Sequence, residues 1–200
     1  MSGPWENSDV PRGDAYDRRF EDLAATGMDM HGEAALVASC APESASVLDA
    51  GCGTGRVAIE LNRRGHAVVG VDVDGAMLEA ARAKAPDLIW VHGDLADPGL
   101  DFDGRTFDVV VMAGNVLIFV PPGTEGQVID NVARWLRPGG LLVTGYSLRP
   151  DANDDAFGPR QHDTLAARSG LVLQDRWSTW DKHPYASGDR YAVAVHRREI

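Results

Sequence analysis

Val47-Leu48-Asp49-Ala50-Gly51-Cys52-Gly53-Thr54-Gly55-Arg56 is the stretch that decides the fold of this 200-residue chain. A short apolar run ends in an acid, three glycines follow at alternate positions, and an amphipathic pattern begins at Val57. The pattern predicts a strand, a tight turn and the start of a helix. Glycine has no Cβ, so backbone at these positions takes positive φ freely and presses against a ligand. The helix start beyond the turn leaves N–H groups without intrahelical partners. A dinucleotide-binding turn reads G-x-G-x-x-G, with pyrophosphate on the helix end. Here the third glycine comes one residue early, at Gly55, and Arg56 fills the dinucleotide glycine position. Asp49 adds a carboxylate, which suits a cationic or hydroxyl-bearing ligand better than pyrophosphate.

Outward from this turn the rhythm is strand, helix, strand, helix. A helix from Gly55 to about Arg64 ends at Gly65, and Ala67–Asp72 is an apolar strand closing on an acid. Asp74 caps the next helix, which Pro86 bars from continuing. Strands follow at Leu88–His92, Phe107–Met112 and Leu141–Tyr146. Thr124 and Gln127 have capping-box spacing for a helix that stops at Pro138-Gly139-Gly140. This alternation, with unbroken apolar runs such as Val109-Val110-Val111, predicts a doubly wound, mostly parallel sheet with helices on both faces. Leu171–Trp180 and Arg190–His196 have no helix between them and are expected to pair antiparallel. At the other end, residues 1–13 read as a flexible arm. Two helices follow, one capped by Asp14 with Tyr16, Phe20 and Leu23 on one face, the other from Gly32 to Cys40.

Composition sets limits. The net charge is −11, which opposes a nucleic-acid partner, because a phosphate backbone calls for lysine and arginine stripes. No apolar run approaches the ~20 residues of a membrane span, and no signal peptide is seen. The two cysteines, Cys40 and Cys52, make neither a disulfide framework nor a metal-ligand spacing. The chain reads as a single soluble domain of a reducing cytoplasm, of unknown oligomeric state, and no metal site is expected. Cys52, inside the glycine turn, reads as a small filler rather than a nucleophile.

Ligands of open parallel sheets bind beyond the carboxyl ends of the strands, where strand order reverses. Three successive strand ends carry an acid: Asp49, Asp72 and Asp94. Singly each is an ordinary turn residue; together beside one glycine loop they indicate a site. The D-x-G-x-G-x-G motif of Asp49–Gly55 resembles the first motif of class I S-adenosylmethionine-dependent methyltransferases. Gly70-Val71-Asp72, Gly93-Asp94-Leu95, Phe107–Met112 and Leu136-Arg137-Pro138-Gly139-Gly140-Leu141-Leu142-Val143 are similar to further motifs of that family.

The resemblance implies a seven-stranded sheet with a reversed last strand, and S-adenosylmethionine as cofactor. It implies that Asp49, Gly51, Cys52, Gly53 and Gly55 form the cofactor loop. Asp72 would take the ribose hydroxyls and Asp94 the adenine amine, with Val73 and Leu95 sandwiching the purine. Met77 either adds to that wall or packs in the helix core. Ala113 and Gly114 would meet the methionine part, with Asn115 next to the transferring methyl. Tyr16 and Arg19, on a helical lid spanning residues 14–42, would cover the cofactor and meet its carboxylate; the alternative is a core-facing Tyr16 and a solvated Arg19. The cofactor core would span residues 46–146, and residues 147–200 a substrate-side loop, the last helix and the terminal strand pair.

Methyl transfer from a sulfonium needs alignment and exclusion of water more than covalent help. A catalytic base is not assigned; Asn115, Tyr146 and His31 are the candidates by position. His162, His183, Trp177 and Trp180 read as packed or exposed. The family's Asn/Asp-Pro-Pro-aromatic signature of amide methylation is absent, with Ala113-Gly114-Asn115-Val116 in its place. The net charge of −11 and the shortness of the segments outside the core fold point to a small uncharged or cationic metabolite as acceptor, which Asp151, Asp154 and Asp155 would favour over phosphate. The alternatives are a cofactor-binding regulatory protein without turnover and, far behind, an NAD-dependent oxidoreductase.

Overall fold

The computed structural model describes residues 4–148 and 157–199. Its strands are β1 (Ser46–Ala50), β2 (Ala67–Asp72), β3 (Ile89–His92), β4 (Phe107–Met112), β5 (Leu136–Ser147), β6 (Leu171–Trp177) and β7 (Tyr191–Arg198). They form one sheet in the order β3-β2-β1-β4-β5-β7-β6. β1, β2, β3, β4 and β5 pair in parallel, and β7 runs antiparallel to both its neighbours. The helices are α1 (Asp14–Ala25), α2 (Gly32–Cys40), α3 (Arg56–Arg63), α4 (Gly75–Lys84), α5 (Val116–Phe119), α6 (Glu125–Trp135) and α7 (Pro159–Arg168). From β1 the chain winds outward through β2 to β3, then crosses back to place β4 on the other side of β1. Strand order therefore reverses between β1 and β4, and a crevice opens at their carboxyl ends.

Strand side chains alternate between two apolar layers. Val47, Val109, Val111 and Val143 pack under α2, α3 and α4, while Leu48, Val110, Met112 and Leu142 pack under α6 and α7. Both faces are covered, so consecutive residues are all apolar and no polar alternation appears in the sequence. Trp90 of β3 illustrates the packing around the glycine turn. Its indole donates to Ala85 O at 2.9 Å, and its ring lies where a Cβ on Gly55 or Gly70 would sit, 2.4 Å away in each case. Two glycines thus make room for one tryptophan.

Several local expectations change. The helix α6 stops at Trp135, and Leu136 already pairs with Phe107; Pro138-Gly139-Gly140 is a bulge within β5, since the register shifts between Phe107 and Val109. No capping box forms: the Thr124 hydroxyl donates to Pro121 O, and Gln127 donates to Asn131. Gly13, rather than Asp14, holds the cap position of α1. The one-turn helix α5 was not foreseen. Residues 4–13, expected as a loose arm, lie on the body of the protein. The Trp5 indole donates to Asp74 Oδ2 at 3.1 Å, Arg12 pairs with the same oxygen at 2.8 Å, and Trp5 meets Phe119 edge-on at 5.4 Å. The acidic loop at Pro150–Asp155 falls outside the described residues.

Gly70→Ala should cost about 1–3 kcal/mol through overpacking against Trp90. Urea unfolding of Gly70→Ala, Trp90→Ala and the double variant tests this as a thermodynamic cycle. The alanine should cost little once Trp90 is truncated; additive losses would show that the two residues do not share the space.

Candidate functional site

The crevice holds a cavity of about 200 Å³ lined by the ends of four strands and the segment before α1. β1 contributes Asp49 and the loop Gly51, Cys52, Gly53 and Thr54; β2 contributes Asp72, Val73 and Met77 of α4. Gly93, Asp94 and Leu95 follow β3, and Ala113, Gly114, Val116, Phe119, Val120 and Pro121 follow β4. Trp5, Glu6, Tyr16 and Arg56 close the remaining side.

The glycine turn is held in shape by the two buried acids. Asp49 is 2 % exposed and its Oδ2 accepts from Ala58 N in α3 at 3.0 Å. Burial pushes its carboxyl up to about 7, against the Ala58 N–H and the Arg56 charge, which favour the anion. Asp72 accepts from Gly53 N at 2.7 Å through Oδ2 and from Asp74 N at 2.9 Å through Oδ1. Burial raises its pKa too, and these two N–H groups oppose the rise. Each oxygen keeps a lone pair, so a fixed carboxylate can accept twice more. Asp94 Oδ1 accepts from Ala96 N at 2.8 Å in a turn of its own, leaving Oδ2 available. Gly51 has no room for a side chain: at φ 78°, a Cβ would meet Val116 at 2.5 Å.

Arg56 joins the elements over the cavity. Its guanidinium pairs with Glu33 of α2 at 2.5 Å, donates to Met30 O, and lies 4.7 Å from the Phe20 ring of α1. Asp17 of α1 accepts from the Thr54 hydroxyl at 2.5 Å and pairs with Lys84 of α4 at 2.5 Å. Tyr16 is thereby held at the cavity, where burial raises its phenol pKa and keeps it protonated.

Of the residues expected at the cofactor, Asp49, Gly51, Cys52, Gly53, Asp72, Val73, Met77, Asp94, Leu95, Ala113, Gly114 and Tyr16 line this cavity. Gly55 does not; it is the left-handed cap residue of α3, packed on Trp90. Met77 does both things weighed for it, lining the cavity while only 1 % exposed. Arg19 is exposed on α1, away from the cavity, and Arg56 is the cation found there.

The three positions considered for catalysis are also displaced. Asn115 caps α5 with its side chain turned back, Oδ1 accepting from Ser147 N at 2.6 Å. Tyr146 is fully buried behind the sheet, with its hydroxyl 3.3 Å from His162 Nδ1, and burial raises its pKa. His31 pairs loosely with Glu60 at 3.9 Å. Trp5, Glu6, Phe119, Val120 and Pro121 were missed. Two of these sit in a segment whose polar composition conceals them, and the other three end or follow a one-turn helix too short for a periodic signal.

Known proteins share this architecture. Residues 47–140 match a family model described as a methyltransferase domain. A TehB-like S-adenosylmethionine-dependent methyltransferase from Corynebacterium glutamicum superposes with a TM-score of 0.81 at 34 % identity, over 93 % of this chain and 97 % of that one. A dTDP-3-amino-3,4,6-trideoxy-alpha-D-glucopyranose N,N-dimethyltransferase from Streptomyces venezuelae is 33 % identical over 140 residues, 68 % of this chain and 56 % of that protein. A dTDP-3-amino-3,6-dideoxy-alpha-D-glucopyranose N,N-dimethyltransferase from Streptomyces fradiae is 40 % identical over 122 residues, 58 % of this chain and 47 % of that protein. The chain spans about half the length of these curated relatives. With the glycine turn, the acids on successive strand ends and the reversed last strand, these likenesses show that the chain belongs to the S-adenosylmethionine-dependent methyltransferases of Rossmann-like fold.

Proposed function

We propose that this chain transfers a methyl group from S-adenosylmethionine to a small acceptor bearing an amine. The observation that carries the reading is the carboxylate edge of the cavity: Asp72, fixed by Gly53 N and Asp74 N, stands beside a turn whose Gly51 has no room for a Cβ. A carboxylate held this way suits a pair of ribose hydroxyls. Asp94, with one oxygen free, suits the exocyclic amine of adenine, and Val73 and Leu95 flank the same space. The cofactor, when bound, supplies a methyl group already activated on a cationic sulfur.

The chain's own part is binding, orientation and exclusion of water. Trp5, Phe119, Val120 and Pro121 form an apolar mouth with Glu6 at its rim. Among the described residues, the acids Glu6, Asp49, Asp72 and Asp94 outnumber the one cavity cation, Arg56, which Glu33 already neutralises. Such a cavity attracts cations and repels phosphate. An amine acceptor fits that field, and the two relatives are N,N-dimethyltransferases of amino sugars, although the dTDP group those sugars carry does not fit it. No histidine lines the cavity among the described residues; Glu6 would accept a hydrogen bond from the acceptor amine, which attacks the methyl in its neutral form and loses a proton to solvent after transfer.

Calorimetry with S-adenosylmethionine and NAD, then an assay of labelled methyl transfer to small-metabolite, protein, tRNA and DNA fractions, tests the reading. We expect binding of S-adenosylmethionine and label in the small-metabolite fraction. Tighter binding of NAD, or label mainly in nucleic acid, would overturn it. Asp72→Ala should weaken the cofactor more than Asp94→Ala, since charge-assisted hydrogen bonds contribute about 1.5–3 kcal/mol each and Asp72 makes two. Reversed losses in folded variants would contradict the ribose and adenine assignments.

The raised pKa of Asp49 sets a pH dependence. A cationic ligand favours the carboxylate, so binding expels the proton that Asp49 holds near neutral pH. Affinity should therefore rise as pH increases through about 7. Without ligand the sign is opposite: the folded state holds this proton more tightly than the unfolded chain. Stability then falls as pH rises from the ordinary aspartate range, about 4, through that value. Calorimetry in buffers of different ionisation enthalpy should detect proton release near pH 7 in the native chain and none in Asp49→Asn.

A further inference from the structure

A second cluster of chemistry lies outside the cavity, between α7 and the antiparallel end of the sheet. We propose that His162, Asp163 and His196 form a site for one transition-metal dication of the zinc class. One donor atom from each residue lies within 4.8 Å of the others. His196 Nε2 and Asp163 Oδ1 are 3.2 Å apart. The edge of a tetrahedron with metal–ligand bonds of about 2.0–2.1 Å is about 3.3 Å, so this pair is already at ligand spacing.

The unused hydrogen-bonding capacity points the same way. His162 is 0 % and His196 1 % exposed, yet His162 Nε2 and His196 Nδ1 have no hydrogen-bond partner. His162 Nδ1 is engaged by the Tyr146 hydroxyl at 3.3 Å, which leaves Nε2 to face an ion, the arrangement of metal-binding histidines. His196 turns Nε2 to Asp163 Oδ1, and these two atoms are the pair at ligand spacing. The rings are 4.6 Å apart between centroids, and neither can turn to water. Asp163 is 36 % exposed and gives an ion a way in from the surface.

The ligand chemistry selects the ion. Two imidazoles with one carboxylate suit zinc, copper or nickel, whereas magnesium and calcium require oxygen donors throughout. Arg176 of β6 holds the same carboxylate, at 2.5 Å on Oδ1 and 3.2 Å on Oδ2. Its charge opposes an incoming dication, so it sets the affinity and keeps the carboxylate compensated when no ion is bound. None of these residues lines the cavity. The ion would therefore clamp α7 to β7 and take no part in methyl transfer.

The test uses tag-free, chelator-stripped protein titrated with zinc against a chromophoric chelator, with native mass spectrometry for stoichiometry. We expect one ion per chain and a rise in Tm. Cobalt should give the intense visible band of a tetrahedral nitrogen–oxygen site. His162→Gln, His196→Gln and Asp163→Asn should each lose about tenfold or more in affinity, and Arg176→Gln should gain. Calorimetric binding of S-adenosylmethionine should not change in the folded variants, which separates this proposal from the functional reading. Failure to retain one zinc ion, or equal zinc affinity in native chain and all four variants, would overturn it. If the histidine variants do not fold, the native chain decides: absence of the cobalt band refutes the site.

Discussion

The site depends on two carboxylates that accept backbone N–H groups from the elements beside them. Asp49 reaches forward to Ala58 N in α3, and Asp72 reaches sideways to Gly53 N in the turn. Each bond satisfies a donor that the turn or the helix start would otherwise leave unpaired in a buried place. Because the acids sit on neighbouring parallel strands, the bonds also fix the turn relative to the sheet. The cost is desolvation, visible in the raised pKa of both groups. A cationic ligand that hydrogen-bonds to these carboxylates offsets that cost on binding, so the strain of the free site and its selectivity have one origin.

Around this centre, single residues serve more than one element. Asp74 caps α4 through Oδ1, accepting from Ala76 N and Met77 N, while its Oδ2 holds Trp5 and Arg12. Arg56 takes the position that a dinucleotide turn gives to glycine, and from there it gathers α1, α2 and the loop between them. The residue that departs from the dinucleotide pattern in the sequence is thus the one that assembles the cover over the cavity. Trp90 fills the volume left by Gly55 and Gly70. Those two glycines therefore serve packing, and the ligand-facing backbone is that of Gly51 and Gly53.

The antiparallel end of the sheet follows different rules. β6 is largely exposed while β7 is buried from Ala192 to His196, and α7 is held there by Leu165 and Ala166 in the apolar layer and by a polar cluster of Tyr146, His162, His196, Asp163 and Arg176. Burial lowers the pKa of both imidazoles and keeps them neutral. No linear spacing announces this cluster, because its members come from β5, α7, β6 and β7. The expectation of no metal ligands came from spacing alone, and spacing cannot register a cluster that comes together only when a helix packs across three strands.

The sequence by itself determined the sheet, its parallel core, the reversed last strand and the acids at three strand ends. These are local matters: apolar runs make strands, an acid before alternating glycines makes one kind of turn, and both patterns occupy contiguous residues. It also assigned Asp72 and Asp94 to one edge, since parallel strands bring their carboxyl ends together. Tertiary structure alone decided which side chains face the cavity. Tyr146, Asn115 and Arg19 occupy plausible positions along the chain but point to the back of the sheet, to Ser147 N and to the surface. Trp5 was brought in by its hydrogen bond to Asp74 and its ring contact with Phe119, carrying Glu6 with it, and Arg56 by its ion pair with Glu33 and its contact with Phe20. Strand order follows from short-range pattern, whereas the direction of a side chain depends on what packs against it from elsewhere in the chain.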